Sequence, residues 1–268
     1  EVFRLEWSGE ALRAAPLPPL PRPCANACGA VAGDTLFIAG GEDRPGATDA
    51  LHTFWALDLA DPQARWRELP PWPGAGRSLA AAAVQAGAFY LMGGVSLAEG
   101  PDGKPARTYL ADACRYDPKK NAWSRIADLP HPLAASPSPA PAAGQSHVLL
   151  LGGDDGSRLG FQPAAAHPGF SRTVLAYHTI TDTWCALGEA PAAQVTVPAV
   201  FWQSRIVVPS GEVRPGVRSS AVRAARLAGR KAGFGRQQSQ AIDPDRPAMA
   251  QRVDRAGDAA GTGLAGQG

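Results

Sequence analysis

An all-β fold of repeated blades, a β-propeller, is the class this sequence predicts, on three observations that keep step with one another. An apolar strand ending in paired glycines recurs at 35–41 (TLFIAGG), 88–94 (AFYLMGG) and 147–153 (HVLLLGG), with a degenerate fourth copy at 205–211 (RIVVPSG). A tryptophan recurs at Trp7, Trp66, Trp123 and Trp184. Leu-Pro or a near variant follows the last three, at Leu69-Pro70, Leu129-Pro130 and Ala190-Pro191. Together these are the marks of kelch-type blades.

Each element has a physical task. Paired glycines let the backbone leave the second strand with φ > 0 and approach its neighbours closely. Between glycines and tryptophan lies a further strand ending in a turn, at 55–59 (WALDL), 114–118 (CRYDP) and 175–179 (LAYHT). The tryptophan supplies apolar area between adjacent blades. The proline ends the outer strand and directs the chain onward.

Counting the repeat gives an incomplete propeller. Residues 1–20 read as the end of a blade, with Trp7 on its outer strand; three whole units follow at 21–70, 71–130 and 131–190, and 191–218 supply the first strands of another. Residues 1–220 are therefore expected to be a partial propeller. Residues 221–268 carry no Trp or Tyr, one Phe and no alternating apolar pattern. Such a segment buries too little apolar surface to offset the entropy of ordering, so it reads as a low-complexity basic tail, a short helix near 221–231 and then disorder.

Composition excludes several classes. Gly 30 and Pro 26 favour many short elements joined by turns. A formal charge of +2 makes no global case for nucleic acid or a membrane surface. No apolar run reaches the ~18 residues needed to span a bilayer, and no signal peptide is visible. The four cysteines are too few and too scattered for a disulfide framework, and the Cys24/Cys28 spacing suits neither zinc nor a redox pair, so they read as small, partly buried thiols with no metal among them. Kelch blades also carry copper radical oxidases, but Tyr90, Tyr109, Tyr116 and Tyr177 fall in strand-like or linker positions rather than in a copper site.

Propellers place ligands at the mouth of the central channel, on loops leaving the inner strands. The unusual segment there is 209–218 (PSGEVRPGVR), where an acid follows the strand and Pro215-Gly216 turns the chain back. That turn is expected to bring Arg218 beside Glu212, giving a proton-exchanging carboxylate next to a guanidinium that can fork onto another carboxylate. An ordinary surface ion pair is the alternative. Asn26, Arg77 and Gln194 begin inner strands and are candidates for the same mouth.

The loop at 210–219 (SGEVRPGVRS) and the stretch at 167–184 (HPGFSRTVLAYHTITDTW) resemble the sialic acid mutarotase (N-acetylneuraminate epimerase) family. The likeness is to its cyclically permuted branch, some members of which are fused to a sodium/solute symporter. The resemblance implies a six-bladed propeller, a periplasmic or extracytoplasmic place, and cofactor-free interconversion of the anomers of N-acetylneuraminate, a small acidic sugar. It implies Glu212 as the general acid/base and Arg218 as the holder of the substrate carboxylate. Six blades need roughly 350 residues, so the expectation is a fragment whose missing blades precede Glu1, and whether it is active alone stays open. A non-catalytic kelch module that binds a glycan or protein is the competing reading.

Overall fold

The computed structural model describes residues 1–227. It opens on a hairpin, β1 (Val2–Trp7) paired with β2 (Leu12–Leu17). The first full blade is an antiparallel meander of β3 (Cys28–Ala32), β4 (Thr35–Ala39), β5 (Phe54–Asp58) and β6 (Arg67–Leu69). In the second, β7 (Ala81–Gln85) and β8 (Ala88–Met92) are followed by an inserted hairpin, β9 (Val95–Glu99) and β10 (Pro105–Tyr109). The blade then resumes with β11 (Ala113–Asp117) and β12 (Ala122–Ile126). The third blade is β13 (Ala142–Ala143), β14 (His147–Gly153), β15 (Ser171–His178) and β16 (Thr183–Glu189). The fourth has three strands, β17 (Val200–Trp202), β18 (Arg205–Pro209) and β21 (Val222–Ala225), with the hairpin β19 (Glu212–Arg214) and β20 (Val217–Arg218) inserted before the last. This is the expected all-β propeller arrangement, four blades deep.

Strand β8 shows why blades stack. Every one of its residues is buried, because successive side chains point to opposite faces and each face meets another blade. Phe89 and Leu91 join Phe37, Phe54, Trp72 and Tyr116 in the core toward the first blade. Tyr90 and Met92 join Leu150, Leu175 and Tyr177 in the core toward the third. Each buried Phe, Leu or Met among them contributes about 1.5–3 kcal/mol by leaving water.

The tryptophans do more than fill space. The indole N–H of Trp66, Trp123 and Trp184 donates to a carbonyl of the preceding blade, that of Pro18, Pro70 and Ala127, at 2.8, 2.8 and 2.9 Å. Pro70 and Ala127 lie four residues beyond Trp66 and Trp123, so by the same count Pro18 answers to Ala14. Register agrees. Trp123 faces Tyr116 and Trp184 faces Tyr177, while Ala14 faces Leu5. Trp7 is therefore not a copy of the repeat tryptophan, contrary to expectation; it ends β1 opposite Leu12 and is exposed.

A second correction concerns the chain beyond 220. Val222–Ala225 is strand β21, hydrogen-bonded to β18, and not the start of a helix. It gives the fourth blade a third strand beyond the first strands that the sequence reading assigned to it. The rest of the expected tail, 228–268, lies outside the described residues.

At the inner end of each blade, one residue adopts left-handed geometry: Asn26, Leu79, Ala135 and Thr196, with φ of 54, 56, 55 and 56°. Their backbones are joined in series. Leu79 N–H donates to Asn26 C=O at 2.9 Å, Ala135 to Leu79 at 2.8 Å, and Thr196 to Ala135 at 2.9 Å. The strain of left-handed geometry at non-glycine residues, of order 1–3 kcal/mol each, is tolerated because this belt over-determines it. The paired glycines sit just above. Gly93 has φ +59°, and a Cβ there would run into the carbonyl oxygen of Leu133 on the next blade, so glycine is required for blades to approach this closely.

At the far end of the third blade, His147 and His178 are cross-strand partners with ring centroids 4.7 Å apart. His178 also meets Ser146 Oγ and Thr181. Burial, then the neighbouring His178, holds His147 below the ordinary histidine range. A folded pKa below the unfolded one means the unfolded chain takes up the proton first. Stability is expected to be full above about pH 6.5 and to fall as the pH drops through that value toward the lower folded pKa. Urea denaturation at pH 7.5 and 5.5 checks this, and His147→Phe is expected to flatten the difference.

Candidate functional site

The residue after each glycine pair, or after Ser210-Gly211 in the fourth blade, pairs back onto the start of its own blade: Glu42 with Ala25, Val95 with Ser78, Asp154 with Ala134, Glu212 with Val195. These four positions, with the left-handed residues beside them, form the rim of the channel. Three of the four carry carboxylates. Glu42 accepts from Asn26 Nδ2 at 3.1 Å on the exposed side of the first blade. Asp154 and Glu212 line a cleft of about 360 Å³, bounded also by Arg107, Tyr109, Arg158, Phe161 and His167.

Glu212 opens the β19–β20 hairpin. Its Oε1 accepts the N–H of Gly216 at 2.6 Å, and Gly216 has φ +72°, the geometry a Pro-Gly turn supplies. The carboxylate is thereby fixed by the turn that follows it. Glu212 and Arg218 are cross-strand partners, as the turn predicted, with a bulge between Glu212 and Arg214. Arg218, however, is exposed and stands outside the cleft lining.

The other three candidates divide. Asn26 lies on the rim but belongs to the Glu42 side. Arg77 is 1% exposed; its Nη2 reaches Asp112 Oδ2 at 2.6 Å, its Nη1 donates to Gly93 C=O at 3.0 Å, and its guanidinium lies 5.6 Å from the Trp72 ring centre. Gln194 is 4% exposed, its Nε2 donating to the carbonyls of Ser210 and Ala221. Arg77 and Gln194 both immediately precede the rim-bridging residue of their blade, Ser78 and Val195. Both side chains are spent on partners within their own blade and neither lines the cleft around Glu212, so the structure gives each a packing role there instead of the expected place at that mouth.

The sequence missed what the inserted hairpin brings. Tyr109, at the end of β10, donates its hydroxyl to Asp154 Oδ2 at 2.6 Å, while Asp154 Oδ1 accepts the N–H of Gly156 at 3.0 Å. Burial, and then the bond to Asp154, pushes the Tyr109 hydroxyl well up, so it stays a donor at any ordinary pH. His167 Nδ1 accepts from Gly169 N–H at 3.0 Å, which places the proton of the neutral ring on Nε2. Arg158 Nη1 is braced on Gly169 C=O at 3.0 Å. The cleft thus holds two carboxylates with fixed hydrogen-bond partners, two guanidinium groups and a phenol, a set suited to a small anionic, hydroxyl-rich molecule.

A family model for N-acetylneuraminate epimerase matches residues 17–160. The N-acetylneuraminate epimerase of Haemophilus influenzae (strain PittEE) is 29% identical over 230 residues, 76% of this chain and 57% of the relative. That of Yersinia pestis (strain Pestoides F) is 27% identical over 229 residues, 76% and 56% of the two chains. That of Pasteurella multocida (strain Pm70) is 26% identical over 234 residues, 78% and 58%. The chain thus spans a little over half the length of the curated relatives it matches. The solved structure of YjhT superposes with a TM-score of 0.62 at 21% identity, covering 78% of this chain and 65% of that one, which bears on the fold alone.

Proposed function

Because the chain belongs to the N-acetylneuraminate epimerase family, we propose that it interconverts the anomers of N-acetylneuraminate by acid/base ring opening, with Glu212 as the proton carrier. The observation that carries this reading is Glu212 on the wall of a cleft that also presents guanidinium groups to an anion. The anomeric hydroxyl and the ring oxygen share one carbon, so a single carboxylate can serve both. Glu212 takes the anomeric proton, the electron pair forms the ketone, the bond from that carbon to the ring oxygen breaks, and the proton passes to the ring oxygen. Rotation and the reverse steps on the other face give the second anomer, with no net change in protons.

The stereochemical test is direct. Freshly released α-anomer is followed by proton NMR with and without purified protein. Exchange faster than the buffer blank supports the reading. Binding of N-acetylneuraminate with exchange at the blank rate would instead favour a carbohydrate-binding module.

A further inference from the structure

Arg218, the residue expected to hold the substrate carboxylate, is not among the residues lining the cleft around Glu212, and that cleft presents two other guanidinium groups. Arg107 comes from β10, in the hairpin inserted in the second blade; Arg158 comes from the loop after β14 in the third. We propose that Arg107 and Arg158 form a carboxylate clamp that selects acidic sugars, and that the Tyr109–Asp154 hydrogen bond is the latch that holds Arg107 over the mouth. This rests on the reading of the cleft as a sialic acid site.

Three features support the clamp. The residues contributing charge to the cleft are Arg107, Arg158, Asp154 and Glu212. Asp154 already accepts from Tyr109 and from Gly156 N–H, so both its oxygens have partners of their own and neither draws on the two guanidinium groups. Arg158 is braced through one terminal nitrogen on Gly169 C=O, which orients a planar fork for a bidentate partner and lowers the entropy lost on binding. The latch is equally built. Tyr109 is two residues from Arg107 on the same strand, so both side chains leave one face of the hairpin. Gly156, at φ +73°, makes room for the Tyr109 ring: a Cβ there would stand 2.6 Å from Cδ2. Tyr109 is a positioning residue in this scheme, acting through Arg107.

Isothermal calorimetry with N-acetylneuraminate and with its methyl ester, which lacks the negative charge, tests the proposal, alongside the NMR exchange rate. The unmodified protein is expected to bind the acid more tightly than the ester. Arg107→Ala and Arg158→Ala should each weaken acid binding about 10- to 100-fold and leave ester binding nearly unchanged, so the preference collapses. Tyr109→Phe should raise KM for the acid with kcat retained, and Gly156→Ala should do the same; far-ultraviolet circular dichroism establishes that the variants fold. Equal binding of acid and ester by the unmodified protein, or a preference that survives both arginine changes, would overturn the clamp. So would a preference lost on Arg218→Ala alone. A kcat loss without a KM change in Tyr109→Phe would overturn the latch. Acid-selective binding with exchange at the blank rate would leave the clamp standing and remove the mutarotase reading; accelerated exchange insensitive to both arginines would do the reverse.

Discussion

On the mutarotase reading proposed above, Glu212→Gln is expected to reduce acceleration of anomer exchange by about 10²- to 10⁴-fold, the range associated with a lost general acid/base. The amide has the same shape, and its oxygen can still accept the N–H of Gly216, so the hairpin and the cleft should stand. What it cannot do is take a proton at neutral pH. Binding of N-acetylneuraminate by the variant should therefore stay within a few-fold of the parent's, with the loss confined to kcat. Proton NMR exchange rates and calorimetry on the same preparation read the two quantities separately. A variant as fast as its parent would remove Glu212 from the chemistry.

The largest stability effect is expected at Arg77. Truncation to Ala leaves the Asp112 carboxylate and the Gly93 carbonyl without their buried partner and takes a cation from beside Trp72. Removing one member of a buried pair costs about 3–5 kcal/mol, read as a lower urea midpoint at unchanged slope. The penalty arises mainly from the stranded charge. Asp112→Asn, combined with Arg77→Met, should therefore recover part of the loss, whereas Arg77→Lys, which cannot reach two acceptors with one fork, should recover less. Equal stability of parent and Arg77→Ala would show that the ion pair does not brace the second blade.

The blades were legible because their signals are local. Paired glycines and a tryptophan followed by proline each mark one strand end, and their spacing survives divergence of the residues between. Trp7 misled for the same reason: a tryptophan on either side of a hairpin turn looks alike in sequence, and its true counterpart, Ala14, has too small a side chain to register. Strand β21 was hidden by the hairpin β19–β20, which interrupts the blade and separates it from β18 by a loop rich in arginine and serine. At the site, Glu212 was visible because its Pro-Gly turn is unusual. Arg77 and Asn26 could not be told apart from sequence, since they stand two steps apart in the same repeat frame and only backbone geometry decides which faces the rim. Tyr109 and Arg158 left no signal. They meet Glu212 only when three blades are brought around one channel.

The belt through Asn26, Leu79, Ala135 and Thr196 is made wholly of main-chain groups. Nothing in it depends on which side chain each position carries, and asparagine, leucine, alanine and threonine already occupy it in one chain. The rim is in that sense a socket with interchangeable fittings. Specificity at the mouth can be rewritten residue by residue, or by lengthening an inserted hairpin, without renegotiating how the blades are joined. A library randomised at Leu79, Ala135 and Thr196 should accordingly yield mostly folded proteins that differ in what they hold.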